Sequence, residues 1–410
     1  MKVLHINVRL SEGGAAGVAR ELHLASANFG IESYFAYGYS RKGKRSPEHD
    51  LIPNVIKIAD PFVAAGNLIS HRVMGVDFFN PSKARLAILE GAIRRADVVH
   101  LHAVHSHMFR YSWLFGLLNS LEKNVIWTAH DHWAITGRCA FLEGCEGWKT
   151  GCGSCVTKNN YPKSKFDISS SQFRVKHRLI NSIRDRCIMV SPSLHLSKDL
   201  KACYPEFRVK VIPNSVDTDF AVNFQLSDEG SSVVGETDER IILVIANDLS
   251  YEGKTDSSVV NDVARIPGVK VITVGSRSPF SAPNIKNIGT VSSRYEIANI
   301  MRQSSAMLFT SKVDNCPLVI GEAHYCGLPV LATPSPASDE LLGIVGGKSL
   351  VLDEILRAVE SGEMFLHYGK NVDRQVLQAR SRKMLGVDAM MQSYLEVYRE
   401  VVSTERVGCL

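Results

Sequence analysis

The sequence predicts an α/β protein made of two doubly wound domains, each with a parallel sheet covered by helices. Short β-branched runs alternate with helical stretches in both halves of the chain, as is typical of βαβ units. Between residues 213 and 240 Asp, Glu, Ser and Gly replace the apolar periodicity, which indicates a linker. The length of 410 residues gives room for about two or three domains.

The N-terminal domain is predicted over residues 1–212. Its first strand covers residues 1–8, and a glycine-rich turn and a helical stretch follow it to about residue 29. The later apolar runs are short, β-branched and bounded by turn or helix signals, as buried strands are. They cover residues 31–37, 97–102, 124–128 and 187–191.

The second domain is predicted over residues 241–378, after the linker 213–240. We expect the two domains to face each other across a cleft. The segment 379–410, helical by its spacing over 380–403, is expected to return to the first domain. The strands of the second domain are predicted at residues 241–245, 269–274, 306–310 and 329–333.

Composition and charge exclude several classes of protein. Lys and Arg number 47 against 42 Asp and Glu, and the net charge of +5 suits a protein that handles phosphates or works beside an anionic membrane. No apolar run approaches the roughly 20 residues that span a bilayer. Because the N-terminus reads as a strand rather than a signal peptide, we expect a cytoplasmic protein, peripheral at most to the inner face of the membrane.

The strongest chemical signal is an acidic loop after the predicted strand 306–310. Asp314 and Asn315 lie in this loop, and Pro317 is predicted as the first residue of a helix. The helix is expected to end at Gly327, a natural left-handed cap. Its N-terminus therefore lies at the carboxyl edge of the sheet, where open α/β folds bind ligands.

The first turn of this helix, Pro317, Leu318 and Val319, is predicted to bind a phosphate, because free N–H groups and the positive end of the helix dipole favour an anion there. Asp314 and Glu322 flank this turn with seven residues between them. Two acceptor carboxylates beside an anion site suit a diphosphate between two hydroxylated rings, as in a nucleotide-sugar. The alternative is a structural loop with a surface aspartate and a helix glutamate.

This pattern, Asp-Asn-x-Pro-x4-Glu-Ala followed by Gly-Leu-Pro-Val, resembles the acidic signature of the family 4 retaining glycosyltransferases. The first carboxylate is usually Glu in that family and is Asp314 here. The resemblance implies the GT-B fold of two Rossmann-like domains. It extends over nearly the whole chain and includes residues 13–14, 128–133, 136–139, 144–152, 190–193, 212–217 and 253–255.

The resemblance also implies roles for the site residues. Asp314 would contact hydroxyls of the donor sugar, and Glu322 would contact the ribose of the nucleotide. His130 would lie beside the anomeric carbon and Asp131 near the acceptor. The predicted catalytic residues are thus His130, Lys254, Asp314 and Glu322. The predicted substrate-binding residues are Gly13, Gly14, Asp131, Asn315, Pro317, Leu318 and Val319.

Lys254 follows the first strand of the second domain and is predicted to place its charge on the leaving diphosphate. An exposed structural lysine is the alternative. The family usually has an arginine shortly before this lysine, where this sequence has Asn247, Asp248 and Leu249. One phosphate-facing cation is therefore missing or supplied elsewhere, with Arg277 as the candidate.

Two loops of the first domain also contribute candidates. The spacing of Gly13 and Gly14 is not that of a dinucleotide-binding fingerprint. We expect the backbone at these glycines to approach a substrate closely; a tight turn without a ligand is the alternative. His130 and Asp131 follow the strand 124–128. Because an aspartate adjoins His130 at the end of this strand, a functional role for His130 is favoured over that of a buried structural histidine. A denser histidine cluster, in which a metal is conceivable, stays unassigned: His100, His102, His105 and His107.

Four cysteines with C-x5-C-x6-C-x2-C spacing lie in an insertion at 136–160. In a cytoplasmic protein this density suits a structural zinc, which would hold an insertion without a core of its own. Two disulfides and four plain thiols are the alternatives. No cofactor is expected for catalysis. The candidate zinc ligands are Cys139, Cys145, Cys152 and Cys155.

Basic residues cluster with interleaved apolar residues at 83–95 and 174–186. We favour two amphipathic surface helices that pack on their own domain; docking on an anionic membrane is the alternative.

The resemblance implies retaining transfer of a hexosyl group from a nucleoside-diphosphate sugar to a lipid-linked oligosaccharide, in exopolysaccharide biosynthesis of the colanic-acid type. Another GT-B activity, such as a nucleotide-sugar epimerase, is the nearest alternative. A zinc-containing nucleic-acid-binding protein is a more distant one, because no recognition-helix or RNP-like pattern is present.

Overall fold

The computed structural model describes residues 1–40, 46–59, 61–105, 107–158, 163–228, 239–369 and 371–403. The chain divides into two compact units. Unit 1 is Met1–Pro213 together with Met390–Leu410, and unit 2 is Asn214–Ala389.

Unit 1 contains a parallel sheet in the order β3-β2-β1-β4-β5-β6-β7. All five predicted strands are present. The two that were not predicted, β3 and β7, lie at the edges of the sheet, where a strand can be short or carry charged side chains. The strands are β1 (Lys2–Asn7), β2 (Glu32–Tyr37), β3 (Val55–Lys57), β4 (Val98–Leu101), β5 (Asn124–Thr128), β6 (Cys187–Ser191) and β7 (Arg208–Val211).

In the described part of unit 1, six helices connect these strands. The predicted basic clusters lie on α3 and on α5 with the short 3-10 turn after it, and the apolar side chains Leu89, Ile93 and Ile180 of these helices are buried in the core of unit 1. This packing agrees with the favoured interpretation of both clusters. The helices are α1 (Gly14–Ala25), α2 (Pro61–Met74), α3 (Lys83–Arg95), α4 (Tyr111–Ser120), α5 (Ser169–Asn181) and α6 (Leu194–Cys203).

Part of the expected linker at 213–240 is a helix, α7 (Thr218–Asp228). Phe220 and Phe224 are buried in the core of unit 2, and they lie four residues apart, on one face of a helix. The acidic and small residues around them hide this signal in the sequence. Residues 229–238 of the expected linker lie outside the described residues.

Unit 2 contains a second parallel sheet, in the order β10-β9-β8-β11-β12. Its four predicted strands are present, and the fifth strand is again at an edge, with exposed side chains in its middle. The strands are β8 (Arg240–Asp248), β9 (Val269–Ser276), β10 (Ile285–Gly289), β11 (Ala306–Phe309) and β12 (Val330–Ala332). After α7, its helices are α8 (Ser257–Ala264), α9 (Arg294–Gln303), α10 (Leu318–Tyr325), α11 (Pro336–Ile344), α12 (Leu352–Ser361) and α13 (Arg374–Leu385).

The predicted helix at 380–403 is two helices, because α13 ends before Gly386 and α14 (Val387–Ser403) follows it. From Met390 onward α14 belongs to unit 1. The Tyr394 hydroxyl lies 2.8 Å from Oγ1 of Thr128, and the Tyr398 hydroxyl lies 2.8 Å from Nδ1 of His100. Residues 404–410 of the predicted C-terminal segment lie outside the described residues. Among the helices described, none has the length and apolarity to span a bilayer.

Candidate functional site

The N-terminus of α10 lies where the acidic loop after β11 ends. Pro317 is the N-cap residue with extended backbone, so the prediction that it is the first helical residue is wrong by one position. A proline side chain has no hydrogen-bond acceptor, so the half-buried Leu318 and Val319 begin the helix without a side-chain cap. Gly327 follows the helix with φ +69°, as predicted for its end.

The structure brings Lys254 and Asp314 together from two different loops. The turn after β8 closes through a 2.8 Å hydrogen bond from the Lys254 N–H to the Tyr251 carbonyl, and the Lys312 N–H donates to Gly253 across 2.9 Å. These bonds join the two loops, and Lys254 Nζ forms an ion pair with Oδ1 of Asp314. Both side chains remain partly exposed. A cation is therefore held beside the acidic loop, and its contact with a diphosphate stays a prediction.

Glu322 is buried one turn into α10 and does not lie in the acidic loop itself. Its Oε1 accepts a 2.7 Å hydrogen bond from Nη2 of Arg294, which also forms an ion pair with Asp217. Sequence analysis missed Arg294 and Asp217. Arg294 lies in the first turn of α9, and Asp217 directly precedes α7. Neither position carries a local sequence signal of this contact.

Asn315 is buried in the loop between Asp314 and the start of α10, and its role in binding a substrate stays a prediction. The candidate second cation, Arg277, instead forms an ion pair with Asp248 and is largely exposed.

In unit 1, Gly13 is the N-cap residue of α1, with φ +102°. Gly14 begins the helix, and the Gly17 N–H donates to the Gly13 carbonyl across 2.9 Å. Since only glycine adopts such a φ without strain, Gly13 permits a tight turn from β1 into α1, and the binding of a substrate by Gly13 and Gly14 stays a prediction.

His130 lies two residues beyond β5 and continues a row of buried imidazoles. Its Nε2 is 3.1 Å from Nδ1 of His102, and Nε2 of His102 is 3.1 Å from Nδ1 of His5. Burial lowers the pKa of His130 to about 4, although the nearby Asp131 opposes the shift. The imidazole of His130 is therefore neutral near pH 7.

Asp131 is held by two contacts. Oδ2 lies 2.9 Å from Nε2 of His105, and Oδ1 accepts a 2.9 Å hydrogen bond from the Trp133 N–H. Burial alone would raise the pKa of Asp131, but His105 and the Trp133 N–H outweigh it and lower the pKa. The carboxylate is ionised and fixed in direction.

Comparison with known proteins places these residues in a family. A family model described as Glycosyltransferase Family 4 matches residues 12–220. A protein named as the colanic acid biosynthesis glycosyl transferase WcaC of Escherichia coli (strain K12) is 34% identical over 98% of this chain and 100% of that protein. The chain belongs to glycosyltransferase family 4. It is a transferase with the GT-B fold of two Rossmann-like domains.

Two solved structures of low sequence identity share this fold, and a further sequence relative is more distant. Anabaena Alr3699/HepE, solved in complex with UDP-glucose, has a TM-score of 0.61 and 14% identity, with 98% of this chain and 100% of that chain covered. The sucrose-phosphate synthase of Thermosynechococcus elongatus has a TM-score of 0.63 and 14% identity, with 98% and 99% covered. The D-inositol 3-phosphate glycosyltransferase of Mycobacterium tuberculosis (strain F11) is 23% identical over 74% of this chain and 65% of that protein.

The unassigned histidine cluster divides into separate groups. His100 contacts Thr128 and Tyr398 and, with His5 and His102, forms a set whose ring nitrogens lie within 4.8 Å of one another. His105 pairs with Asp131, as described above. His107 belongs to a second such set, with His71 and Asp77. Burial lowers the pKa of His5, His100 and His102 well below the ordinary value.

The four cysteines of the insertion line one cavity and are all thiols, so the two-disulfide alternative is not observed. Sγ of Cys139 and Sγ of Cys155 lie 3.4 Å and 3.6 Å from the Thr157 hydroxyl, and the Gly137 N–H donates to Sγ of Cys152 across 3.2 Å. In the described chain, the four sulfurs do not form a set within 4.8 Å of one another. Residues 159–160 of the insertion lie outside the described part.

Two buried cations beside these thiols were also missed. Arg138 is 4% exposed, and its Nη1 donates to the Thr157 carbonyl across 3.3 Å. Lys176 is 1% exposed; its Nζ donates to the Trp133 carbonyl across 2.5 Å and lies 3.8 Å from the centre of the Trp133 ring. Burial lowers the pKa of Lys176 to about 7. Helical spacing marked Lys176 as part of a basic surface cluster, and only the fold shows that it points inward.

Proposed function

We propose that the protein is a retaining glycosyltransferase that moves a hexosyl group from a nucleoside-diphosphate sugar to a hydroxyl of a lipid-linked oligosaccharide. The relative named as a colanic acid biosynthesis enzyme covers nearly the whole chain, so we place the reaction in exopolysaccharide biosynthesis of that type. The observation that carries the proposal is in unit 2. There the pair Lys254 and Asp314 lies at the loop before a helix start without a side-chain cap, and Glu322 lies one turn into that helix.

The donor is assigned to this group because its chemistry matches the residues. The N–H groups of Leu318 and Val319 and the charge of Lys254 bind the diphosphate and stabilise the negative charge that develops on it. Asp314 and Glu322 accept hydrogen bonds from hydroxyls of the sugar and the ribose. That Anabaena Alr3699/HepE, a protein of the same fold, was solved with UDP-glucose supports a nucleotide-sugar donor.

The transfer breaks the bond between the anomeric carbon and the phosphate oxygen, and forms a bond from that carbon to the acceptor oxygen on the same face. The acceptor proton passes to the leaving phosphate oxygen. The neutral His130 hydrogen-bonds near the anomeric centre without adding charge, and the ionised Asp131 orients an acceptor hydroxyl. The proposal includes no catalytic cofactor.

The donor is identified with a thermal-shift panel of UDP-, GDP- and ADP-sugars. A ligand at a concentration of 100 Kd stabilises the folded state by about 2.7 kcal/mol, so the cognate nucleotide should give the largest shift. The Lys254→Ala variant should lose this shift, and Lys286→Ala, which removes an exposed lysine of β10 in the same unit, should keep it. No shift with any of the three nucleotides would contradict the proposal.

Product analysis separates transfer from the epimerase alternative. A transferase releases nucleoside diphosphate and forms glycan product only when an acceptor glycan is present, whereas an epimerase converts its donor without one. Membership of a transferase family favours transfer over both this alternative and the nucleic-acid-binding one.

We assign peripheral membrane contact to the outer face of α2. Phe62 and Ile69 are 86% and 65% exposed, and Val73 is exposed beside them. The helix contains no Asp or Glu, and Arg72 lies exposed on the same face. The neighbouring backbone carries Phe166, half exposed, whose N–H donates to Val73. Apolar side chains beside a basic residue fit an anionic lipid surface.

A further inference from the structure

We propose that Cys139, Cys145, Cys152 and Cys155 bind a structural zinc ion as thiolates, and that the negative charge of this centre compensates the two buried cations Arg138 and Lys176. The proposal concerns the folding of unit 1 and does not depend on the proposed function.

The cysteine segment has little regular structure with which to hold itself together. Between residues 136 and 168 the described chain contains one short 3-10 turn, Gly147–Thr150, and no strand or α-helix. Trp148, on this turn, is a large apolar side chain of the segment that is buried. The backbone has positive φ at six positions: Glu143, Gly144, Gly151, Cys152, Gly153 and Ser154. A segment of this kind needs a cross-link, and a metal ion supplies one.

The four thiols are placed to provide that cross-link. All four line one cavity. The Gly137 N–H donates a hydrogen bond to Sγ of Cys152. Zinc–sulfur bonds of about 2.3 Å put the sulfurs of a tetrahedral site about 3.8 Å apart. The thiols therefore draw together around the cavity when the ion binds.

Charge provides the independent argument. Arg138 is buried against Cys155, with Nη1 4.0 Å from its sulfur, and Nε and Nη2 of Arg138 have no acceptor among the described residues. Lys176, equally buried, donates to a neutral carbonyl. Among the described residues neither cation forms an ion pair, because Asp131 and Asp167 act on Lys176 and Arg138 only from a greater distance. A buried cation without a close anion is destabilising.

Neutral thiols do not compensate these charges, whereas a zinc ion with four thiolates does. The two positive charges of the ion and the four negative charges of its ligands leave two negative charges, one for each cation. The donors of Arg138 that lack an acceptor would then face thiolate sulfurs. The nearby carboxylates make their close contacts elsewhere and only partly offset the two cations. Asp131 pairs with His105, and Asp167 accepts hydrogen bonds from the Cys155 and Ser169 N–H groups.

The first test is the metal content of the full chain, purified without a histidine tag from zinc-supplemented medium and without chelators. Inductively coupled plasma mass spectrometry should find about one zinc per chain. The Cys155→Ser variant should lose it, whereas Cys203→Ser, which removes a partly buried thiol outside the segment, should keep it. Zinc-free wild-type protein, or full zinc content in Cys155→Ser, would overturn the proposal.

Cobalt substitution identifies the ligands, even if Cys155→Ser does not fold. Four thiolates give cobalt intense sulfur-to-metal charge-transfer bands in the near ultraviolet and strong tetrahedral bands in the visible. A site made by His71, Asp77 and His107 would give no sulfur bands, and that result would overturn the assignment. Titration of the zinc-loaded wild-type protein with a mercurial should release the ion as four thiols react.

Discussion

At the scale of single residues, the contact with Arg294 shows that Glu322 is not a surface glutamate. Glu322 is buried on α10 and shares Arg294 with Asp217. The spacing of the acidic loop marked Glu322, because seven residues from Asp314 place it one turn into the helix. It could not mark Arg294, which reaches Glu322 from α9 and becomes its partner only when the sheet brings the two helices together.

Glu322→Gln should lower kcat by about 10²- to 10³-fold, because an amide does not replace the ionised acceptor facing the donor. Arg294 keeps its ion pair with Asp217, so the loss of folding stability should stay within about 1–3 kcal/mol. Turnover of the donor found in the thermal-shift panel measures the first effect, and urea unfolding measures the second. Glu363→Gln, at an exposed position of unit 2, is the matched control. Near-normal turnover by folded Glu322→Gln would remove Glu322 from the site.

The neutral state of His130 predicts a dependence of stability on pH. Burial lowers its pKa to about 4 from an ordinary value of about 6.5. Between these values the unfolded chain binds a proton that the folded chain does not, so the free energy of unfolding falls as the pH falls from about 6.5 to about 4. For His130 alone the fall is at most about 3 kcal/mol.

Urea unfolding of His130→Asn across this pH range should show a shallower slope of unfolding free energy against pH than the wild-type protein. An unchanged slope in His130→Asn would show that His130 is not held neutral by burial.

At the scale of elements, the sequence predicts buried strands well and edges poorly. β4, β5 and β6 are covered on both faces and read as continuous apolar runs, which periodicity detects. β7 alternates arginine and lysine with valine, and β3 has three residues, so neither provides such a run. Helix α7 escaped prediction for a related reason, because its buried face consists of two phenylalanines in a polar segment.

The outer face of α2 gives a prediction at this scale. Phe62→Glu combined with Ile69→Glu should weaken binding to anionic vesicles by at least about tenfold, since burial of each side chain in the lipid contributes about 1.5–3 kcal/mol. Both residues are exposed, so the fold should be unaffected. Flotation with vesicles of phosphatidylglycerol and phosphatidylcholine measures the binding.

Leu366→Glu, at another exposed apolar residue but in unit 2, is the matched control and should bind as the wild-type protein does. Equal flotation of the double variant and this control would exclude α2 as the contact surface.

At the scale of the whole molecule, unit 1 is built from both ends of the chain. From Met390 onward its last helix, α14, follows unit 2 in the chain. Tyr394 and Tyr398 of this helix are buried against Thr128 of β5 and His100 of β4. Helical spacing predicts the helix, but the hydroxyl partners of the two tyrosines lie more than 250 residues away and no local pattern encodes them. Contacts between residues far apart in the chain are therefore the part of the structure that the sequence does not predict. The contacts of α14, of Arg294 and of the buried Arg138 are examples.

Because all four tryptophans of the chain lie in unit 1, tryptophan fluorescence reports the unfolding of that unit. Tyr394→Ala combined with Tyr398→Ala should move the tryptophan-detected transition to lower urea, since each loss of a buried aromatic ring costs about 3–5 kcal/mol. Tyr398→Phe, which removes only the hydroxyl that His100 contacts, should shift it in the same direction by about 1–3 kcal/mol. Tyr295→Ala, at an exposed position on α9 of unit 2, should leave it in place. If the tryptophan-detected transition were the same in all these variants, α14 would not contribute to the stability of unit 1, and the first half of the chain would fold without its C-terminus.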